Sequence, residues 1–140
     1  MASGKTIFLI EDDEEFRDLV KMRFEAAGHR VLMSKGGDET LDSIAESKPD
    51  LIVLDIFLPD VDGLTILKRL KADLDIASGK PSVTKNIPVI VVTGKAPMVE
   101  SLTRIVGASD FFVKPVHVDQ LIKRAQQLLA PARENEKQRS

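Results

Sequence analysis

The 140-residue chain contains no cysteine, which removes disulfides, thiolate zinc sites and thiol nucleophiles and fits a reducing compartment. It has no apolar run long enough to cross a membrane, and residues 1–5 lead into a short apolar stretch and then acids, unlike a secretory signal. A cytoplasmic protein with no membrane partner is expected. An excess of either charge is also lacking: 20 Lys and Arg oppose 22 Asp and Glu, for a net charge of −2, which gives no general attraction to nucleic acid or anionic lipid. No helix-turn-helix with a basic recognition face is legible, so no nucleic-acid contact by this domain is expected. Gly94-Lys95 lacks the preceding glycine of a Walker-type phosphate loop. His29 and His117 stand singly at element edges and read as structural or solvated.

What is present is a strand-helix alternation. With 43% hydrophobic and 30% charged residues, the composition is that of a globular α/β protein, and the length suits one domain with a sizeable core. Leu51-Ile52-Val53-Leu54 is an apolar run with no in-out alternation, the pattern of a strand buried on both faces of a helix-covered parallel sheet. Further strands are expected at residues 6–10, 30–34, 87–93 and 111–113. Helices are expected at 39–47, from 63 to about 74, and from 118 to near Pro131. Phe16, Leu19, Val20, Phe24 and Ala27 recur at helical spacing up to Gly28, where that helix ends. Five such units predict a doubly wound, five-stranded parallel sheet of flavodoxin-like (βα)5 topology. Residues 73–86 are polar and read as a long exposed loop, the helix between Thr93 and Gly107 is weakly specified and is expected to be short or mobile, and residues 132–140 read as a flexible tail or the start of a linker.

Open α/β sheets bind ligands above the carboxyl ends of their strands. That edge collects Glu11, Asp12 and Asp13 after the first strand, Asp55 after the third, Thr93 at the end of the fourth and Lys114 after the fifth. Taken singly, each has an ordinary reading. The acids at 11–13 suit a helix N-terminus, Asp55 suits a turn or cap, and a strand-end threonine or lone lysine says little. Their joint placement is what points to a site. Clustered carboxylates repel unless a cation sits among them, and an all-oxygen set suits Mg²⁺ with a phosphate oxygen. With Lys114 and the Thr93 hydroxyl beside it, the cleft suits in-line attack by a carboxylate on phosphorus.

Four segments carry a family resemblance: Ile-Glu-Asp-Asp at 10–13, Leu-Asp-Ile-Phe-Leu-Pro-Asp-Val-Asp-Gly at 54–63, Ile-Pro-Val-Ile-Val-Val-Thr-Gly at 87–94, and Gly-Ala-Ser-Asp-Phe-Phe-Val-Lys-Pro at 107–115. Across residues 6–130 the chain resembles the receiver domain of two-component response regulators, with residues 1–131 as that domain. The resemblance implies that Asp55 accepts a phosphoryl group from a histidine kinase or a histidine phosphotransfer protein. It further implies that Asp12, Asp55 and the Phe57 carbonyl ligate Mg²⁺, that Glu11 holds a metal-bound water, and that Lys114, before a cis bond to Pro115, pairs with phosphoryl oxygens. Thr93 and Phe111 would be the switch pair, Phe111 standing where receivers often carry tyrosine. Phe57 and Lys95 would flank the path of the hydrolytic water.

The function expected is a phosphorylation-controlled signalling switch, not an enzyme beyond its own phosphoryl transfer and dephosphorylation. It would act on an unknown downstream protein through the face of the fourth helix, fifth strand and fifth helix, as a monomer or a phosphorylation-dependent dimer. A phosphorylation-independent interaction scaffold is the alternative. An aspartate-nucleophile phosphatase is disfavoured, since the residue two beyond Asp55 is Phe57 and not aspartate.

Overall fold

A computed structural model describes residues 4–37, 39–58, 62–76, 78–94 and 98–130. The elements in order are β1 (Thr6–Ile10), α1 (Glu14–Ala26), β2 (Arg30–Ser34), α2 (Thr40–Ser47), β3 (Leu51–Asp55), α3 (Gly63–Lys71), β4 (Val89–Thr93), α4 (Met98–Val106), β5 (Asp110–Val113) and α5 (Val118–Leu129). All strand pairs are parallel, in the order β2-β1-β3-β4-β5. The doubly wound, flavodoxin-like sheet expected from the sequence is therefore the fold.

Every residue of β3 and β4 is buried, because successive side chains feed two separate cores. On one face Ile52, Leu54, Val89 and Val91 meet Ile44 of α2 and Ile66, Leu67 and Leu70 of α3. On the other, Leu51, Val53, Ile90 and Val92 meet Val20 and Phe24 of α1 and Leu121 and Ala125 of α5. Each large aliphatic side chain fully removed from water stabilises the fold by about 1.5–3 kcal/mol. The central strands are consequently the most rigid mounting the chain offers.

Two boundaries shift by two residues or more from the sequence expectation. α3 ends at Lys71 and not near residue 74, because Leu74 instead bridges to Pro81 in an antiparallel pair. The segment expected as an exposed loop is one, closed by turn hydrogen bonds, with Asp75 N–H donating to the Lys80 carbonyl at 2.8 Å and Ser82 N–H to the Asp73 carbonyl at 2.9 Å. It is tied to α3 as well: buried Thr84 donates its hydroxyl to the Leu70 carbonyl at 2.9 Å, and the Lys71 ammonium donates to the carbonyls of Lys85 and Ile87. β4 starts at Val89, since Pro88 has no N–H to extend the ladder. The fourth helix, expected short or mobile, is a nine-residue element, shorter than α1 and α5, closed by Gly107 at φ +124°. The expected tail at 132–140 lies outside the described residues.

One close approach fixes the path from β3 into α3. A Cβ added at Gly63 would lie 2.5 Å from the Ile56 Cα and carbonyl oxygen and 2.6 Å from the Asp55 carbonyl oxygen. All of these are backbone atoms, which cannot step aside as a flexible side chain can. Gly63→Ala is therefore expected to destabilise the fold by about 3 kcal/mol, as overpacking does, and urea denaturation of the two proteins measures it.

Candidate functional site

Parallel register brings the strand ends together. Ile10 pairs with Leu54 and Asp55 with Val92, so Glu11, one residue beyond β1, comes alongside Asp55. Thr93 pairs with Val113, and the N–H of Lys114, one residue beyond β5, donates to the Thr93 carbonyl at 2.8 Å. The winding changes direction between β1 and β3, which is where open sheets of this kind leave their crevice.

Glu11 is buried at 1% exposure. Its Oε2 accepts from the N–H groups of Asp12 (3.1 Å) and Asp13 (3.2 Å), and its Oε1 lies 2.7 Å from the Lys114 Nζ. Burial pushes its carboxyl from 4.5 up to about 7; Lys114 and the backbone bond pull the other way, while Asp55 adds to the rise. Asp55 is also buried, with Oδ1 accepting the Phe57 N–H at 3.0 Å and Oδ2 accepting from Lys114 Nζ at 3.2 Å. Burial draws the Lys114 ammonium down, yet its bonds and charge attraction to Glu11 and Asp55 outweigh this and hold it above the usual lysine value. Lys114 thus bridges two carboxylates, and the Lys114-Pro115 peptide is cis.

Asp12 is exposed at the mouth, with a carboxylate oxygen that falls within 4.8 Å of ligand atoms of Glu11 and Asp55. Among the described residues this is the one group of three acids so arranged. The donor set fits a hard divalent cation: three carboxyl groups in an all-oxygen cluster face a single lysine, and buried Glu11 resists ionising without further positive charge. Asp13 is directed to α1 instead, capping it by accepting the Phe16 N–H at 3.3 Å.

The remaining residues singled out from the sequence fall in different surroundings. Thr93 is fully buried and Phe111 nearly so, the latter packed in the core cluster that holds Leu54 and Val91. Phe57 follows Asp55 closely in the chain with its side chain 46% exposed. Lys95 lies outside the described residues. Two contributors went unread in the sequence. Phe16 looked like an ordinary core position at helical spacing, but its ring centroid lies 4.9 Å from the Lys114 Nζ; Gly63 was legible as a turn and not as a backbone contact beneath Asp55. No spacing rule reveals the Phe16 contact, because it joins segments far apart in sequence; the Gly63 contact is local but is set by the path the chain takes out of β3.

A two-faced parallel sheet with buried acids and one lysine at its switch point defines the class: an α/β protein built to hold concentrated negative charge at its strand ends. The family model described as "Response regulator receiver domain" matches residues 7–126, and the chain belongs to that family. Among its relatives, the phosphate regulon transcriptional regulatory protein PhoB of Pseudomonas aeruginosa is 32% identical over 127 residues, covering 90% of this chain and 52% of that protein. Two solved structures share the fold and a level of identity in the same range. One is a CheY-like response regulator receiver domain protein from Methanospirillum hungatei, 27% identical with a TM-score of 0.77 over 97% of this chain and 99% of that one. The other is the BeF3-activated N-terminal receiver domain of Klebsiella pneumoniae RstA, 28% identical with a TM-score of 0.74 over 90% and 99%. The chain spans about half the length of the curated relatives it matches. No helix among the described residues is long and apolar enough to cross a membrane.

The raised Glu11 value makes stability depend on pH. Between about 5 and 7 the carboxyl ionises in the unfolded chain, whose value is the ordinary 4.5, while the folded chain keeps its proton; folding therefore weakens as pH rises through that window. In EDTA, wild type is expected to lose about 2–3 kcal/mol more than Glu11→Gln between pH 5 and 7.5. Urea midpoints at a series of pH values read the difference.

Proposed function

We propose that this chain is a phosphorylation-controlled switch in which Asp55 accepts a phosphoryl group from a histidine kinase or histidine phosphotransfer protein. The observation that carries this is the geometry of Asp55 itself: a buried carboxylate at the end of the central strand, oriented through Oδ1 by the Phe57 N–H and through Oδ2 by Lys114. An Asp55 oxygen attacks phosphorus, the bond from phosphorus to the donor nitrogen breaks, and the nitrogen keeps the bonding pair. The product is an acyl phosphate. Positioning and charge neutralisation are most of what such a transfer needs. Lys114 meets the negative charge on the phosphoryl oxygens, and Thr93 offers its hydroxyl from the neighbouring strand end.

Asp12, Asp55 and the Phe57 carbonyl would hold Mg²⁺, with Glu11 acting through a water molecule. When bound, the cation neutralises the carboxylates and the incoming phosphoryl oxygens and keeps them in line. Residues 1–131 are taken as the receiver unit, acting in the cytoplasm as a monomer or a phosphorylation-dependent dimer. Thr93 and Phe111 are both buried in the structure described here, so the signal is read as repacking of these two side chains, transmitted to the surface of α4, β5 and α5 and to a downstream protein. Phe57 and Lys95 would set access of water to the acyl phosphate.

The test is intact mass after incubation with acetyl phosphate, with Mg²⁺ or EDTA, on wild type and Asp55→Asn. One added phosphoryl group is expected, dependent on both Mg²⁺ and Asp55, with amide NMR shifts reaching Thr93, Phe111 and α4. No addition and no Mg²⁺ binding would favour the interaction scaffold; shifts confined to the vicinity of Asp55 would rule out the surface signal. A second measurement concerns lifetime. The exposed Phe57 ring beside Asp55 is expected to slow hydrolysis, so Phe57→Asn should shorten the life of the phosphorylated protein several-fold. Equal or slower decay in the variant would remove the ring from the account.

A further inference from the structure

Lys114 has a third neighbour besides Glu11 and Asp55, and it is not an acid. The Phe16 ring centroid lies 4.9 Å from the Nζ, inside the distance at which an ammonium is attracted to the negative face of an aromatic ring. The contact is built from both sides. Asp13 caps α1 by taking the Phe16 N–H, which fixes the first turn, and the Phe16 side chain packs against the core cluster of Val20, Phe24 and Leu121. The lysine arrives from the β5 end, tied through its own N–H to Thr93. With 22% of its side chain exposed, Lys114 would otherwise have room to turn toward water. A flexible four-carbon stem loses conformational freedom whenever its charge must sit in one place.

We propose that Phe16 is a positioning residue for Lys114, its ring holding the ammonium at the Asp55 edge of the cleft so that phosphoryl transfer meets a preplaced charge. This rests on the reading of Asp55 as phosphoacceptor and adds to it a residue that touches neither phosphoryl group nor metal. An aliphatic side chain at 16 would fill the core as well; only an aromatic one also attracts the charge. The attraction therefore separates from packing by chemistry that changes the ring's electron density and leaves its shape nearly unchanged.

The experiment replaces Phe16 in the full chain with phenylalanines carrying one, two and three ring fluorines, in wild-type and Lys114→Met backgrounds. Two quantities are read: the rate of phosphoryl uptake from acetyl phosphate with Mg²⁺, and the ring-current displacement of the Lys114 Cε proton resonances. Uptake is expected to fall stepwise with fluorination, by about two- to fivefold at three fluorines, with unchanged thermal midpoints. In the Lys114→Met background the dependence on fluorination should vanish, as coupling through that contact requires. The Cε resonances should lie upfield in wild type and lose that displacement in Phe16→Leu. Uptake that is flat across the series, an equal slope without Lys114, or Cε resonances that Phe16→Leu leaves in place would each overturn the inference while leaving Asp55 as acceptor. Absence of uptake in wild type would overturn the phosphoacceptor reading and this inference with it.

Discussion

The arrangement depends on one lysine standing between two buried carboxylates. Glu11 and Asp55 are set at neighbouring strand ends by the β1-β3 register, and neither can retreat to solvent because the strands beneath them are packed on both faces. Two such anions at close range repel, and burial raises the cost of each charge. Lys114 offsets part of this at 2.7 and 3.2 Å, and with Asp12 at the mouth the cluster remains acidic. The site is thus under electrostatic tension by construction. Its chemistry follows from how that tension is relieved.

Rigidity of the mounting is what makes such tension usable. The backbone contact of Gly63 with Asp55 and Ile56 fixes the strand exit, and the cap by Asp13 fixes the start of α1. By contrast, the long connection after α3 leaves from the opposite edge of the sheet, where α3 ends and β4 begins. It carries exposed Leu74, Ile76 and Val83, yet is bound to α3 through Thr84 and Lys71.

The fold was legible because its strongest signal is short-range. Runs such as 51–54 and 89–92 have no alternation, and only a sheet covered on both sides accommodates that pattern. The strand-end acids, Thr93 and Lys114 were legible for the same reason: once the strands are placed, their last residues share an edge. What escaped was set by tertiary context. Leu74 fits a helical stripe after Leu67 and Leu70, but its pairing with Pro81 gave it a better place outside the helix. The stretch between Thr93 and Gly107 looked poor in helix signals because Gly94 and Pro97 precede it, whereas Thr103, buried at 0% exposure and bonded to the Glu100 carbonyl, supports a regular α4. Local propensity was a weak prior there.

The aromatic composition narrows how the site is finished. All six aromatic residues are phenylalanines, so no phenol or indole is available to hydrogen-bond a phosphoryl group or to carry a signal through an O–H. Phe8 and Phe24 lie in the two cores, while Phe16 faces the lysine, Phe57 stands exposed after Asp55 and Phe111 is buried on β5. At these last three positions an aromatic ring can act only through shape, apolar area and its quadrupole. Hydrogen bonding at the strand ends is accordingly left to carboxylates, Lys114 and backbone N–H groups. The rings at 16, 57 and 111 stand beside these groups as apolar surface of different exposure, Phe57 open to water and Phe111 packed in the core.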